Sequence, residues 1–337
     1  MRAILLCGAA ACYALAGCGV GSGRPALGGG SSSAGGSTLS TGPQLGYVWD
    51  SSAQALRATL GVPGSSQVGA AVSATGYIAG AASPRTAVAV LQAKDGSLEA
   101  QPLPNGSAVV LGGVTVPVGA RIVFSPSGSS ALAYAPGSTK MALITGLSTS
   151  PQAQQVNAPA QLQGAAVSDT ALVAVVSGSG TLQLSLLGGT RALANLGGYG
   201  GVNFLPGADT LLAGDSAANT LTLIQHSSTA PAAQTFTSAI LKTPVDVNAS
   251  QDGRWAVAAN AGDASLARID LTGQTAAVRI PCTCQPNQLA ALNGNAVFRI
   301  TSFAAGGPTW IVNAAATAPK TLFIPAAPAI SSAGGQQ

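Results

Sequence analysis

Few side chains in this 337-residue chain have the type and spacing for chemistry. The tightest group is Cys282-Thr283-Cys284, set between Pro281 and Gln285-Pro286. Two thiols this close can form a local disulfide in an oxidising compartment, stay free for exchange, or hold a soft metal. His226 is the single histidine, so a Ser-His-Asp triad would have to use it. It follows an apolar alternating run and leads into Ser227-Ser228-Thr229, which reads as a solvated loop. The acids stand alone: Asp50, Asp95, Glu99, Asp169, Asp209, Asp215, Asp246, Asp252, Asp263 and Asp270. They offer no alternating calcium loop and no recognisable carboxylate pair. Several sit in turns, where Asp bonds its own backbone. Gly197-Gly198-Tyr199-Gly200-Gly201 lacks the Lys-Ser/Thr of a phosphate loop and precedes a strand, so it reads as a turn between repeats. From these residues no catalytic, cofactor-binding or metal site is expected.

The elements that would position these groups follow from composition. Charged residues make up only 7% and glycines number 44, which suits short strands and many turns rather than long helices. The net charge of +4 is spread thinly, with no basic stripe for phosphates, so nucleic acid is not an expected partner.

Met1-Arg2 precedes an apolar segment, Ala3 to Ala16, that is too short to span a bilayer. It ends in Leu15-Ala16-Gly17-Cys18. That tetrapeptide resembles the lipobox of bacterial lipoproteins, which implies a signal peptide over 1–17 and acyl chains on Cys18. By the same resemblance, Gly19 leans the sorting towards the outer membrane, facing the periplasm or the outside. An ordinary secretory signal cut after Ala14-Leu15-Ala16 is the alternative, giving a secreted form. Residues 18–44 are rich in Gly and Ser and read as a disordered tether. Residues 327–337 read as a disordered tail.

Between them, 45–326 reads as an array. Small-residue strands line up at Tyr77–Gly80, Ala131–Ala135, Ala171–Val175, Leu211–Gly214, Trp255–Ala259 and Ala296–Ile300. From Ala131 onward their spacing is the ~40 residues of a propeller blade. Each is followed by an alternating strand, as at Ala87–Gln92, Lys140–Thr145, Thr181–Leu186, Thr220–Gln225, Ser265–Asp270 and Thr309–Asn313. Turns such as Asp252-Gly253 and Asn293-Gly294 separate the strands. The clearest unit is Asp246–Gly273. Its Asp252-Gly253, Ala259-Asn260, Gly262-Asp263, Ile269-Asp270 and Thr272-Gly273 resemble the repeats of bacterial YVTN and lactonase-like β-propellers.

The expected fold is therefore an all-β propeller of seven blades, with six as the alternative and a pair of β-sandwiches as the competing architecture. Gly46–Gly61 reads as the outer half of a blade whose remaining strands come from the C-terminal end, closing the ring. The expected role is non-catalytic: binding of a protein or small ligand on a propeller face, or scaffolding in the envelope. Trp49, Tyr134, Tyr199, Trp255 and Trp310 are candidates to line such a face. The resemblance also implies a second reading, a lactonase-like hydrolase with acids and histidines at the axis, for which this chain is poorly supplied. A redox or metal role of the Cys282–Cys284 loop is the third.

Overall fold

Short strands of two to eight residues, the inner ones mostly small and apolar, are punctuated by turns that favour positive φ and fold into seven antiparallel sheets arranged as the blades of a propeller. The computed structural model describes residues 42–158, 161–186, 189–207 and 209–327. The signal peptide, Cys18, nearly all of the tether and nearly all of the tail lie outside the described residues. Gln44, read as the end of the tether, already belongs to the first strand.

Blade 1 holds β1 (Gln44–Asp50), β2 (Ala55–Val62) and β3 (Ser65–Ala71). Blade 2 holds β4 (Ala79–Ser83), β5 (Val88–Gln92), β6 (Leu98–Pro102) and β7 (Val109–Leu111). Blade 3 holds β8 (Arg121–Phe124), β9 (Ala131–Tyr134), β10 (Lys140–Thr145) and β11 (Gln152–Asn157). Blade 4 holds β12 (Gly164–Val167), β13 (Val173–Val176), β14 (Thr181–Leu186) and β15 (Gly189–Asn195). Blade 5 holds β16 (Tyr199–Phe204), β17 (Leu211–Asp215), β18 (Thr220–Gln225) and β19 (Ala232–Thr237). Blade 6 holds β20 (Pro244–Ala249), β21 (Trp255–Asn260), β22 (Ser265–Asp270) and β23 (Val278–Pro281). Blade 7 holds β24 (Ala290–Ala291), β25 (Val297–Arg299), β26 (Thr309–Asn313) and β27 (Thr321–Ile324). The first strand of each blade lies at the axis, and the others follow outward in chain order.

Seven hydrophobic clusters form the core, one at each junction between neighbouring blades. The period of two makes this possible, because each strand sends alternate side chains to its two faces. In β9, Ala131 and Ala133 pack against blade 2, while Leu132 and Tyr134 pack against blade 4. In β21, Trp255, Val257 and Ala259 face blade 7, while Ala256 and Ala258 face blade 5. The guanidinium groups of Arg254 and Arg268 each lie 4.4 Å from the Trp255 ring centre.

The structure corrects three readings in detail. Tyr77–Gly80 is not a second strand; Ala79 and Gly80 open β4, the innermost strand of blade 2, and Ala87–Gln92 supplies its second strand β5. With second strands starting at Val88, Ala131, Val173, Leu211, Trp255 and Val297, the wide first interval disappears. Gly46–Gly61 is not the outer half of a shared blade. It forms the two inner strands of blade 1, with Tyr47 and Trp49 at the axis, because Gly80 leaves space for the Trp49 ring. A Cβ on Gly80 would come within 2.8 Å of that ring. Blade 7 is complete in itself, so the ring closes by side-chain packing of Leu45, Val48 and Val68 on Leu292, Val297, Ile311 and Ile324. Two hydrogen bonds add to the join: Asn293 N to Leu45 O at 2.7 Å and Asn293 Nδ2 to Gln44 O at 2.8 Å. Lastly, Tyr199-Gly200-Gly201 is not a turn but the start of β16; only Gly197 and Gly198 precede it.

Candidate binding channel

The innermost strands enclose an axial channel of about 510 Å³. Small residues on these strands, such as Gly80, Ala81, Ala165 and Ala166, keep it open. Its charged lining is Arg85, Arg121, Asp246 and Arg299. Tyr47, Trp49, Tyr134 and Tyr199 supply aromatic surface, and Asn203, Asn248 and Gln288 supply amides.

Strand register places these groups. Arg121 opens β8 and pairs with Tyr134 at the end of β9. Tyr199 opens β16, and Arg299 ends β25 opposite Ala290, the first residue of β24. Arg121, Tyr134 and Tyr199 therefore sit at the end of the channel where the innermost strands begin, while Arg299 stands on the blade 7 wall, opposite the two-residue β24. Arg85 follows β4 and lies towards the opposite mouth, where its Nη2 donates to Gly294 O at 3.1 Å. Tyr199 leans across Gly164, the first residue of β12; any side chain at 164 would overlap its ring.

Asp246 is the one carboxylate in the channel wall. Its Oδ2 accepts the Leu289 N–H at 2.6 Å and its Oδ1 accepts the Val247 N–H at 2.9 Å, tying blade 6 to blade 7. Burial pushes its carboxyl up to about 6, opposed by those two N–H groups and by the charge of Arg121. The side chain lies deep in the ring yet keeps some accessible surface, because the channel passes it.

Arg299 is equally deep and half-buried. Burial alone moves it down to about 10. Its Nε is buried with no hydrogen-bond partner, and its Nη1 makes one long contact, 3.5 Å to Thr301 O. Among the described residues, neither Arg121 nor Arg299 has an ion-pair partner. Burial raises both Tyr134 and Tyr199, so both remain neutral hydroxyls across ordinary pH.

The other sequence candidates lie away from the axis. His226 is exposed in the loop after β18 at φ 51°. Ser228 Oγ bonds the Asp209 carboxylate directly, so the nearby hydroxyl and acid are already partnered without the imidazole. Cys282 and Cys284 are joined by a disulfide and pack, half-buried, on the core between blades 6 and 7. Asp252 and Asp263 punctuate turns. Burial would raise them, but Ser250 and Arg254 at Asp252, and Ser265 and Arg279 at Asp263, pull both below the usual range. Asp270 is held well below it by Thr272 and also by Arg254 and Thr275. The N–H groups of Gly197 and Gly198 are filled by the Asp215 carboxylate at 2.6 and 3.2 Å. Of the aromatic candidates, Trp49, Tyr134 and Tyr199 reach the channel, whereas Trp310 stacks on Phe323 of β27 with ring centres 5.8 Å apart. Among the described residues no three His, Cys, Asp or Glu side chains converge as a metal site.

Arg121 and Arg299 escaped the sequence reading. Each is a lone cation in its own stretch, and only the curvature of the ring brings both into the lining of one channel.

The fold and the channel define a seven-bladed β-propeller with a polar axial cavity. Solved structures share this architecture. A functionally unknown protein from Desulfotomaculum acetoxidans superposes with a TM-score of 0.61 at 12% identity, over 84% of this chain and 99% of that one. Virginiamycin B lyase from Staphylococcus aureus gives 0.51 at 15% identity, over 71% of this chain and 81% of that one. The β-propeller domain of Myceliophteria thermophila Cps50 (Swd1) gives 0.55 at 12% identity, over 73% and 86%. No family model and no curated protein matches the sequence. The chain is thus a propeller resembling the virginiamycin B lyase-like propellers in fold.

Proposed function

We propose that this chain is a non-catalytic binding propeller of the bacterial cell envelope, lipid-anchored through Cys18, that receives a small ligand in its axial channel. The channel carries the reading. A cavity of about 510 Å³ falls in the size range of small-molecule sites, and it joins aromatic walls to a few convergent polar groups. The anchor is supported by Leu15-Ala16-Gly17-Cys18 directly after an apolar segment, a sequence that resembles the lipobox of bacterial lipoproteins. An oxidising compartment is supported by the Cys282–Cys284 bond, whose packing on the core between blades 6 and 7 favours a structural role over exchange.

The test uses the full chain expressed in a bacterial host. Radiolabelled palmitate should enter the membrane-bound protein and be lost in Cys18→Ser. The same protein, purified in detergent, is screened by thermal shift against anionic, neutral and cationic metabolites. Saturable stabilisation that is lost on substituting channel residues supports the reading. Labelling that survives Cys18→Ser removes the anchor, and a screen without any stabilising compound removes the channel as a ligand site.

A further inference from the structure

Building on the channel as a ligand site, we infer that its ligand is a small organic oxyanion, held by Arg299 of blade 7 and Arg121 of blade 3, which line the same channel. The lining carries three cations, Arg85, Arg121 and Arg299, against one carboxylate, Asp246. Each Asp246 oxygen accepts one backbone N–H, and among the described residues Asp246 forms no ion pair with a channel guanidinium. Arg299 is the stronger sign. A guanidinium lodged deep in a fold normally has an anion or several acceptors, because an unpaired buried charge is costly. Here Nε is an orphan and Nη1 has a single 3.5 Å contact. A guanidinium presents donors in a flat fork that fits a carboxylate or a phosphate with two parallel hydrogen bonds. Arg121, accessible from the channel and within reach of the Asp246 charge but in no ion pair, gives the second point of attachment. The neutral hydroxyls of Tyr134 and Tyr199 stand at the Arg121 end of the channel and can hold the remainder of a small molecule.

Isothermal titration of the full chain with citrate, succinate and inorganic phosphate tests this, with glucose and spermidine as neutral and cationic controls. At least one of the three anions should bind saturably, with a Kd at or below about 1 mM. Arg299→Gln and Arg121→Gln should each weaken it by about tenfold or more. Arg299→Lys, which keeps the charge and loses the fork, should fall between wild type and Arg299→Gln. Arg279→Gln, on the outer strand β23 and away from the channel, should leave binding unchanged. Binding of citrate or succinate alone assigns a carboxylate source, and phosphate binding of equal strength assigns a phosphoryl source. The idea is overturned if no anion binds, or if the Arg121→Gln/Arg299→Gln variant binds as wild type. If glucose alone binds, the channel stands as a ligand site and the oxyanion falls; if no probe binds, both fall. Should Arg299→Gln fail to fold by circular dichroism, Arg121→Gln alone decides, since that side chain is exposed.

Discussion

Asp246→Asn separates the cost of a buried charge from the value of the hydrogen bonds around it. The native carboxyl is raised by burial from 3.8 to about 6. Between those two values the folded chain keeps a proton that the unfolded chain has released, so stability falls as pH rises through the window. At 1.36 kcal/mol per unit the full loss above pH 6 is about 3 kcal/mol, reduced to the extent that channel water screens the charge. Asp50, Asp169, Asp209, Asp215, Asp252, Asp263 and Asp270 are shifted the other way. Their contribution is present above the unfolded value near 4 and disappears only as pH drops through their lower native values. Stability of the wild type should therefore peak at a pH of about 4 to 5. Asparagine keeps one oxygen for the Leu289 or Val247 N–H and loses the other bond, a cost of about 1 kcal/mol. It carries no charge to bury. In urea unfolding at a series of pH values, the variant should be less stable than wild type by about 1 kcal/mol near pH 4 and more stable by up to about 2 kcal/mol near pH 7.5. The curves should cross. All other titrating groups are common to both chains and cancel in the difference. Parallel curves across pH 4 to 7 would refute the desolvation account of Asp246.

Two further perturbations address the ring itself. Asp50 and Arg57 form a buried ion pair at 3.3 Å, with side chains 2% and 6% exposed. Asp50→Ala should cost about 3–5 kcal/mol in urea unfolding, because it strands the guanidinium and also uncaps the turn at Ser52 and Ala53; a loss under 1 kcal/mol would show that water reaches Arg57. Gly164→Ala should cost about 1–3 kcal/mol by forcing Tyr199 aside, and most of that cost should vanish in a Tyr199→Ala background; additive losses would mean that the two residues do not touch.

Period and turn chemistry made the blade count legible, because each blade is a contiguous unit that repeats the same turns. From Ala131 onward the second and third strands fall within two residues of where the alternation puts them, at β9 and β10 through β25 and β26, with Ala171 in the turn before β13. The misassignment came at the first repeat. Innermost strands must be small near a crowded axis, so Ala79-Gly80-Ala81-Ala82 mimics the Ala-rich second strands elsewhere. Tyr47 and Trp49 hid the axial position of β1, and the Trp49 ring fits there because residue 80 is a glycine. The channel was harder still. Asp246 looks like any turn acid until Leu289 of the next blade is placed against its carboxylate. Arg121 and Arg299 belong to blades 3 and 7, and no local pattern links them.

The absence of strand exchange at the blade 7–blade 1 join has a consequence for how the ring is assembled. Every sheet is paired between consecutive segments, so its contacts have low sequence separation and can form early. The final join is different in kind, with Asn293 and Gln44 standing 249 positions apart. Bringing such distant points together costs (3/2)RT ln n, about 5 kcal/mol, in chain entropy. Burial of the seven apolar side chains at the join, at ~1.5–3 kcal/mol for each fully covered, exceeds that cost. It does so once about two to four of them are covered together. Closure is therefore the late, cooperative step, and an open ring exposes two complementary sticky ends. At high concentration those ends meet their counterparts on a second molecule as readily as on the same one, so dilution during refolding should favour the closed monomer.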